Sequence, residues 1–270
     1  MPPFCFLHFT DPHLPPPGEA VLGGDPAPGF AAALADAAAR HGPGAGLPAS
    51  FAVVTGDLVR DGEPTAYARL RGMLEGLPWP VHLLLGNHDD RGAFRSAFPA
   101  APLDDAGFVQ QAVATPAGTC LMLDTHAPGR SEGELCDRRL RWLSARLGES
   151  AEPVLLFLHH PPQPVGIPYM DGIGLADADG LWKALEPHRG RVRHIFHGHL
   201  HRPIAGSWRG IPLSSLRGTA FAVALAQPPG KLAVSHREAP CYSLARALDG
   251  NLVVHTIELP GAGGAGRGAA

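Results

Sequence analysis

Short apolar runs recur along this chain, and each stops abruptly at glycine, proline or a polar residue. They are Phe4–Phe9, Phe51–Val54, Val81–Leu85, Cys120–Leu123, Val154–Leu158 and Val192–Phe196. Runs this short and continuous predict strands buried on both faces. Between them the period changes. Phe30–Arg40 is alanine-rich, and Glu63–Gly76 places Pro64 in a first helical turn. Glu134–Leu147 sets Leu135, Leu140, Trp142, Leu143 and Leu147 on roughly one face, and Leu181–His188 is a shorter helix. Strand alternating with helix predicts an α/β layered fold.

From about residue 204 the texture becomes short alternating segments: Ile204–Trp208, Ile211–Leu216, Tyr242–Leu248 and Leu252–Ile257, with "LDGN" at 248–251 as a hairpin turn. These predict an antiparallel second half of the sheet system. A single domain is expected over residues 1–260. The segment 261–270, "GAGGAGRGAA", has nothing to bury and is expected to be disordered.

Composition removes several functions. The formal charge is −3 over 270 residues, and there is no Lys/Arg run beyond Arg138, Arg139 and Arg141. A nucleic-acid grip needs a concentrated basic face, so no nucleic-acid partner is expected. No run has the apolar length of a membrane span, and "MPPFCFLHFTDPHL" lacks the layout of a signal peptide. A cytoplasmic protein without membrane contact is expected. Cys5, Cys120, Cys136 and Cys241 are too scattered for a zinc ribbon, and Cys5 and Cys120, inside apolar runs, read as buried free thiols.

The chemistry is concentrated immediately after the apolar runs. "TDPHL" supplies Asp11 and His13, "TGDLV" supplies Asp57, and "GNHDD" supplies Asn87 and His88. "HHPP" supplies His159 and His160, and "HGHLH" supplies His197, His199 and His201. Ligand pockets in α/β sheets lie beyond the carboxyl ends of strands. Imidazole, carboxylate and amide oxygen without thiolate suit Fe, Mn, Zn or Co. There are too many candidate ligands for one ion and enough for two, and a carboxylate can bridge such a pair. Asp57, beside Gly56 and midway in the series, is the natural bridge.

The order "DPH", "GD", "GNHD", "HH", "GHLH" resembles the calcineurin-like metallophosphoesterase superfamily, over residues 4 to about 205. "GNHDD" and "FLHHPP" are similar to its bacterial branch of class III cyclic-nucleotide phosphodiesterases and glycerophosphodiesterases. The resemblance implies a two-sheet mixed β sandwich flanked by helices. It implies one ion held by Asp11, His13 and His201, a second held by Asn87, His159 and His199, and Asp57 shared. His199 and His201 are expected on one side of an extended segment, one serving each ion. His88 is expected beside the leaving oxygen, with Asp89 either holding its ring or, like Asp90, capping the next helix. His160 orients its loop or contacts substrate, and His197 supports the site or packs. His8, His41, His82, His126, His188, His194, His236 and His255 carry no surrounding motif and read as structural.

The expected reaction is hydrolysis of a small phosphodiester by metal-hydroxide attack, the substrate being a 3′,5′-cyclic nucleotide such as cAMP or a glycerophosphodiester. A broad phosphomonoesterase is the alternative, and a metal-free scaffold is the reading from another class. Substrate contacts are expected from Leu14–Gly29, Asp124–Gly133 and Gly166–Gly180, the last carrying Tyr169 and Met170. Relatives that pair through C-terminal strands imply a homodimer or higher homo-oligomer.

Overall fold

The computed structural model describes residues 4–226, 231–235 and 238–259. The tail 261–270 and His236 lie outside the described residues. The chain runs β1 (Phe4–Phe9), α1 (Ala27–His41), β2 (Ala52–Thr55), α2 (Pro64–Leu74), β3 (Val81–Leu84) and α3 (Arg91–Ala97). It continues through β4 (Gln111–Thr115), β5 (Gly118–Met122), α4 (Asp137–Gly148), β6 (Val154–Phe157), α5 (Pro168–Asp171), α6 (Ala178–Leu185) and β7 (Val192–His197). Six further strands complete it: β8 (Ile204–Trp208), β9 (Ile211–Ser215), β10 (Ala222–Val223), β11 (Val234–Ser235), β12 (Cys241–Leu248) and β13 (Asn251–Glu258).

Two mixed sheets carry the architecture. One has five strands in the order β13-β12-β1-β2-β3, and the other six in the order β4-β5-β6-β7-β9-β8. They face each other across an aromatic core. Phe6 stacks on Phe51 at 5.3 Å and Phe157 on Phe196 at 5.0 Å, while the edge of Phe6 meets Phe157 at 5.5 Å. Fully burying each ring is worth about 1.5–3 kcal/mol. The outer face of the first sheet is covered by α1 through Phe30, Leu34 and Ala37 and by α2 through Tyr67 and Leu70. The outer face of the second is covered by Leu143 and Leu147 of α4 and Leu181 and Leu185 of α6.

β1, β2 and β3 run parallel, as do β5, β6 and β7. Their carboxyl ends therefore open together, and the polar residues after each apolar run converge there. The antiparallel second half is only partly realised. β8–β9, β12–β13 and β1–β12 pair antiparallel, but β9 crosses over to lie parallel to β7, with Ile195 opposite Leu213. The "LDGN" hairpin forms, Leu248 opposite Asn251, with Asp249 and Gly250 both at positive φ. β4 is absent from the apolar pattern because it is a sheet edge whose residues alternate between half-buried and exposed. No helix among the described residues is long and apolar enough to cross a membrane.

Candidate metal centre

Five of the expected ligands sit on strained backbone. Asp11, His13, Asp57, His199 and His201 have φ of 51°, 43°, 48°, 69° and 47°. Non-glycine residues in this left-handed region cost of order 1–3 kcal/mol each, and such strain gathers at functional sites. The strain is held by cross-links between loops: Asp11 N–H donates to the Gly56 carbonyl at 3.2 Å and His13 N–H to the Asp57 carbonyl at 2.9 Å. The loop after β7 is therefore not the extended segment expected, since β7 ends at His197 and both later histidines turn left-handed. His199 and His201 still reach different halves of the site, but by turning rather than by strand alternation.

The side chains meet in two adjoining groups. Ligand atoms of Asp11, His13, Asp57 and His201 lie within 4.8 Å of one another, and so do those of His159, His160 and His199. Asp57 Oδ2 stands between the groups, 3.4 Å from His13 Nε2 and 3.4 Å from His159 Nε2. His13 Nε2 is 3.0 Å from His201 Nε2, and His199 Nδ1 is 3.3 Å from His159 Nε2. Asn87 Oδ1, His199 Nε2 and His160 Nε2 are buried without a hydrogen-bond partner. Leaving such atoms bare costs about 1–3 kcal/mol apiece. Converging lone pairs, orphaned acceptors and a carboxylate between two imidazoles form a donor set that fits two borderline cations.

The outward nitrogens of these rings are anchored. His159 Nδ1 donates to the Thr55 carbonyl at 2.6 Å and His201 Nδ1 to the Phe221 carbonyl at 3.2 Å. A proton fixed on Nδ1 turns the Nε2 lone pair inward. Asp57 Oδ1 accepts from His88 N–H at 2.9 Å. His88 donates Nδ1–H to the Arg60 carbonyl at 2.7 Å, so Arg60 rather than Asp89 holds its ring. Asp89 instead accepts from Gly86 N–H, Leu58 N–H and the Tyr67 hydroxyl, tying three segments together, while Asp90 caps α3.

Electrostatics divide the cluster. Burial works against charge on Asp57, yet His159, His88 and His13 hold its carboxyl well below the usual range. Burial raises Asp11 against the pull of His201, and raises Asp89 to about 7. Burial also drives His13, His160 and His199 well below the ordinary imidazole value, which keeps them neutral. His159, although buried, is lifted to about 9 by Asp57.

Two glycines make the convergence sterically feasible. A Cβ on Gly86 would lie 2.2 Å from Asp57 Oδ1 and 2.6 Å from His159 Nε2. One on Gly198 would lie 2.1 Å from Thr10 Oγ1.

A cavity of about 400 Å³ opens over the cluster, lined by His13, Asp57, Asn87, His88, His199 and His201 and, on its apolar side, by Tyr169 and Met170. His88 is 41% exposed at its mouth. His160 lies behind His199, its Nδ1 2.8 Å from Thr125 Oγ1, and His197 is buried with Nδ1 against the Gly198 carbonyl. Several contributors carry no signal in the sequence. His8, Thr10 and Thr55 form a hydrogen-bonded chain behind Asp11, and His126 braces Gly86 by donating Nδ1–H to its carbonyl at 3.0 Å. Thr10 and Thr55 open the "TDPHL" and "TGDLV" stretches and His126 lies in the Asp124–Gly133 loop, but nothing in the spacing of these residues or of His8 shows that they meet.

A two-sheet sandwich with paired Asp and His groups at its strand ends is the architecture of the metallophosphoesterases. The chain belongs to the calcineurin-like phosphoesterase family, whose model matches residues 5–203. It is 41% identical over 255 residues to a probable cyclic nucleotide phosphodiesterase of Rhodopseudomonas palustris, covering 93% of this chain and 90% of that protein. It is 33% identical over 233 residues to a cAMP/cGMP dual specificity phosphodiesterase of Mycobacterium tuberculosis, covering 82% and 69%. Among solved structures, a dimetal phosphatase from Danio rerio shares the fold with a TM-score of 0.68 at 18% identity, over 94% of this chain and 95% of that one.

Proposed function

We propose that this protein is a metal-dependent phosphodiesterase acting on 3′,5′-cyclic nucleotides. The observation that carries the reading is Asp57 Oδ2, equidistant from His13 and His159 at 3.4 Å between two groups of potential ligands. Asp11, His13 and His201 would hold one ion and Asn87, His159 and His199 the other, with Asp57 shared between them. Ions bound there would supply polarisation of the phosphoryl group and activation of water as the nucleophile.

The chain's own residues supply the rest. His88 stands at the cavity mouth with its Nδ1 committed to the Arg60 carbonyl, which leaves Nε2 to serve a departing oxygen. Burial disfavours its charge, but Asp57 and the Arg60 carbonyl more than offset this and raise its pKa. A protonated His88 donates to the leaving alkoxide. The wall opposite is apolar. Leu22, 57% exposed, and Tyr169, 41% exposed, flank the opening, with Met170 and Phe221 deeper. A flat base suits that wall better than a charged headgroup. The relatives named as cyclic-nucleotide phosphodiesterases support the same substrate class. All four cysteines are free, which fits the reducing cytoplasm where we place the protein.

The test is turnover of cAMP, cGMP, glycerophosphocholine, bis-p-nitrophenyl phosphate and p-nitrophenyl phosphate by Mn²⁺-loaded protein. Cyclic nucleotides are expected to give the highest kcat/KM. Preference for p-nitrophenyl phosphate would make the enzyme a monoesterase, and preference for glycerophosphocholine would reassign the apolar wall.

A further inference from the structure

Three side chains that the proposed reaction does not touch form a chain behind Asp11. His8 Nε2 lies 2.8 Å from Thr55 Oγ1, Thr55 Oγ1 lies 2.8 Å from Thr10 Oγ1, and Thr10 Oγ1 lies 2.6 Å from Asp11 Oδ2. All four residues are buried, with exposures of 1% or less.

The protons of this chain are assigned by elimination. A carboxylate only accepts, so Thr10 gives its single hydroxyl proton to Asp11. Thr10 oxygen then accepts from Thr55, whose own proton is thereby spent. Thr55 oxygen must accept in turn, and the donor is His8, with its proton on Nε2. Burial, with His197 and His194 alongside, pushes the His8 pKa down to about 3, so the ring is neutral at ordinary pH.

We propose that His8 is a positioning residue that orients Asp11 through Thr55 and Thr10. The inference rests on the reading of Asp11 as an ion ligand. The surroundings support it in two ways. Gly198 leaves room for the Thr10 hydroxyl where any Cβ would collide with it. Thr55 also presents its carbonyl to His159 Nδ1 at 2.6 Å. The residue that passes the polarity of His8 toward Asp11 thus also anchors a ligand of the other ion.

The experiment compares wild type, His8→Leu and His8→Gln by calorimetric titration with Co²⁺ and by the visible absorption of the bound ion. Leu removes the donor and Gln retains one. His8→Leu is expected to weaken one of two Co²⁺ sites about 10–100-fold and alter its absorption, the usual cost of losing a hydrogen bond behind a ligand. His8→Gln is expected to restore most of both. In ¹⁵N-histidine-labelled protein loaded with Zn²⁺, His8 is expected to carry its proton on Nε2. Wild-type Co²⁺ affinity and absorption in His8→Leu, or a proton on Nδ1 alone, would overturn the inference. Should His8→Leu not fold, Thr10→Val cuts the chain beside the carboxylate and is read the same way. A wild-type protein that binds no Co²⁺ would sink the ion-site reading itself, and this inference with it.

Discussion

The Thr55 carbonyl receives the Nδ1 proton of His159 at 2.6 Å, across the gap between the two sheets. β2 ends at Thr55 and β6 at Phe157, so one hydrogen bond locks the exits of strands from opposite sheets. It also aims His159 Nε2 at Asp57. Geometry at the centre therefore depends on how the sheets are packed, not only on the loops.

Asp57→Asn tests the shared position. The amide keeps the volume but supplies only one neutral oxygen between His13 and His159. Metal content measured after gel filtration is expected to fall from two equivalents to one or none, with turnover falling to background. Near-native turnover would remove Asp57 from the bridge.

His88→Ala separates proton delivery from ion binding. Its ring lies outside both ligand groups, while its backbone N–H, which the substitution retains, holds Asp57 Oδ1. kcat is expected to fall about 10²–10⁴-fold, with metal content unchanged. Loss of an ion in this variant would make the ring a ligand.

Gly86→Ala tests the close approach. The added methyl collides with Asp57 Oδ1 and His159 Nε2. Turnover and ion affinity are both expected to fall sharply, and a variant that binds two ions normally would show that the loop can yield.

Tyr169→Ala tests the apolar wall. Stacking of an aromatic ring on a base is worth about 1–3 kcal/mol, so KM for cAMP is expected to rise roughly ten-fold at constant kcat. An unchanged KM would leave Tyr169 as a packing residue of its loop.

Stability should fall with acid. Burial lowers the His194 pKa to about 4, while the unfolded chain binds that proton near 6.5. Between these values the unfolded state holds more protons, so stability rises with pH and is lost as pH falls through that window. His194 Nε2 lies 2.8 Å from Ser214 Oγ. His194→Gln is expected to flatten the difference in urea midpoint between pH 7.5 and pH 5 measured with chelator present. An unchanged difference would assign the loss to other groups.

The sequence exposed the parts governed by local rules. Continuous apolar runs marked β1, β2, β3, β5, β6 and β7, and the polar residues after them drew attention to Asp11, His13, Asp57, Asn87, His159, His199 and His201 as candidate ligands. β4 escaped because a half-exposed edge strand needs no apolar stripe. The parallel β7–β9 pairing escaped because partner choice is a long-range property that alternation does not encode. His8 escaped because a buried histidine in an apolar strand looks the same whether its nitrogen packs or directs a hydroxyl. Its partners Thr55 and Thr10 are assembled only when β1 and β2 pair.

β1 lies between β2 and β12, with Phe4 opposite Ala247, so its two partners come from widely separated parts of the sequence. During synthesis one edge of β1 waits uncapped until β12 has left the ribosome. Loss of the β12–β13 hairpin would expose that edge just upstream of Asp11. A truncated or stalled product should therefore aggregate through β1 rather than persist as a weakened enzyme.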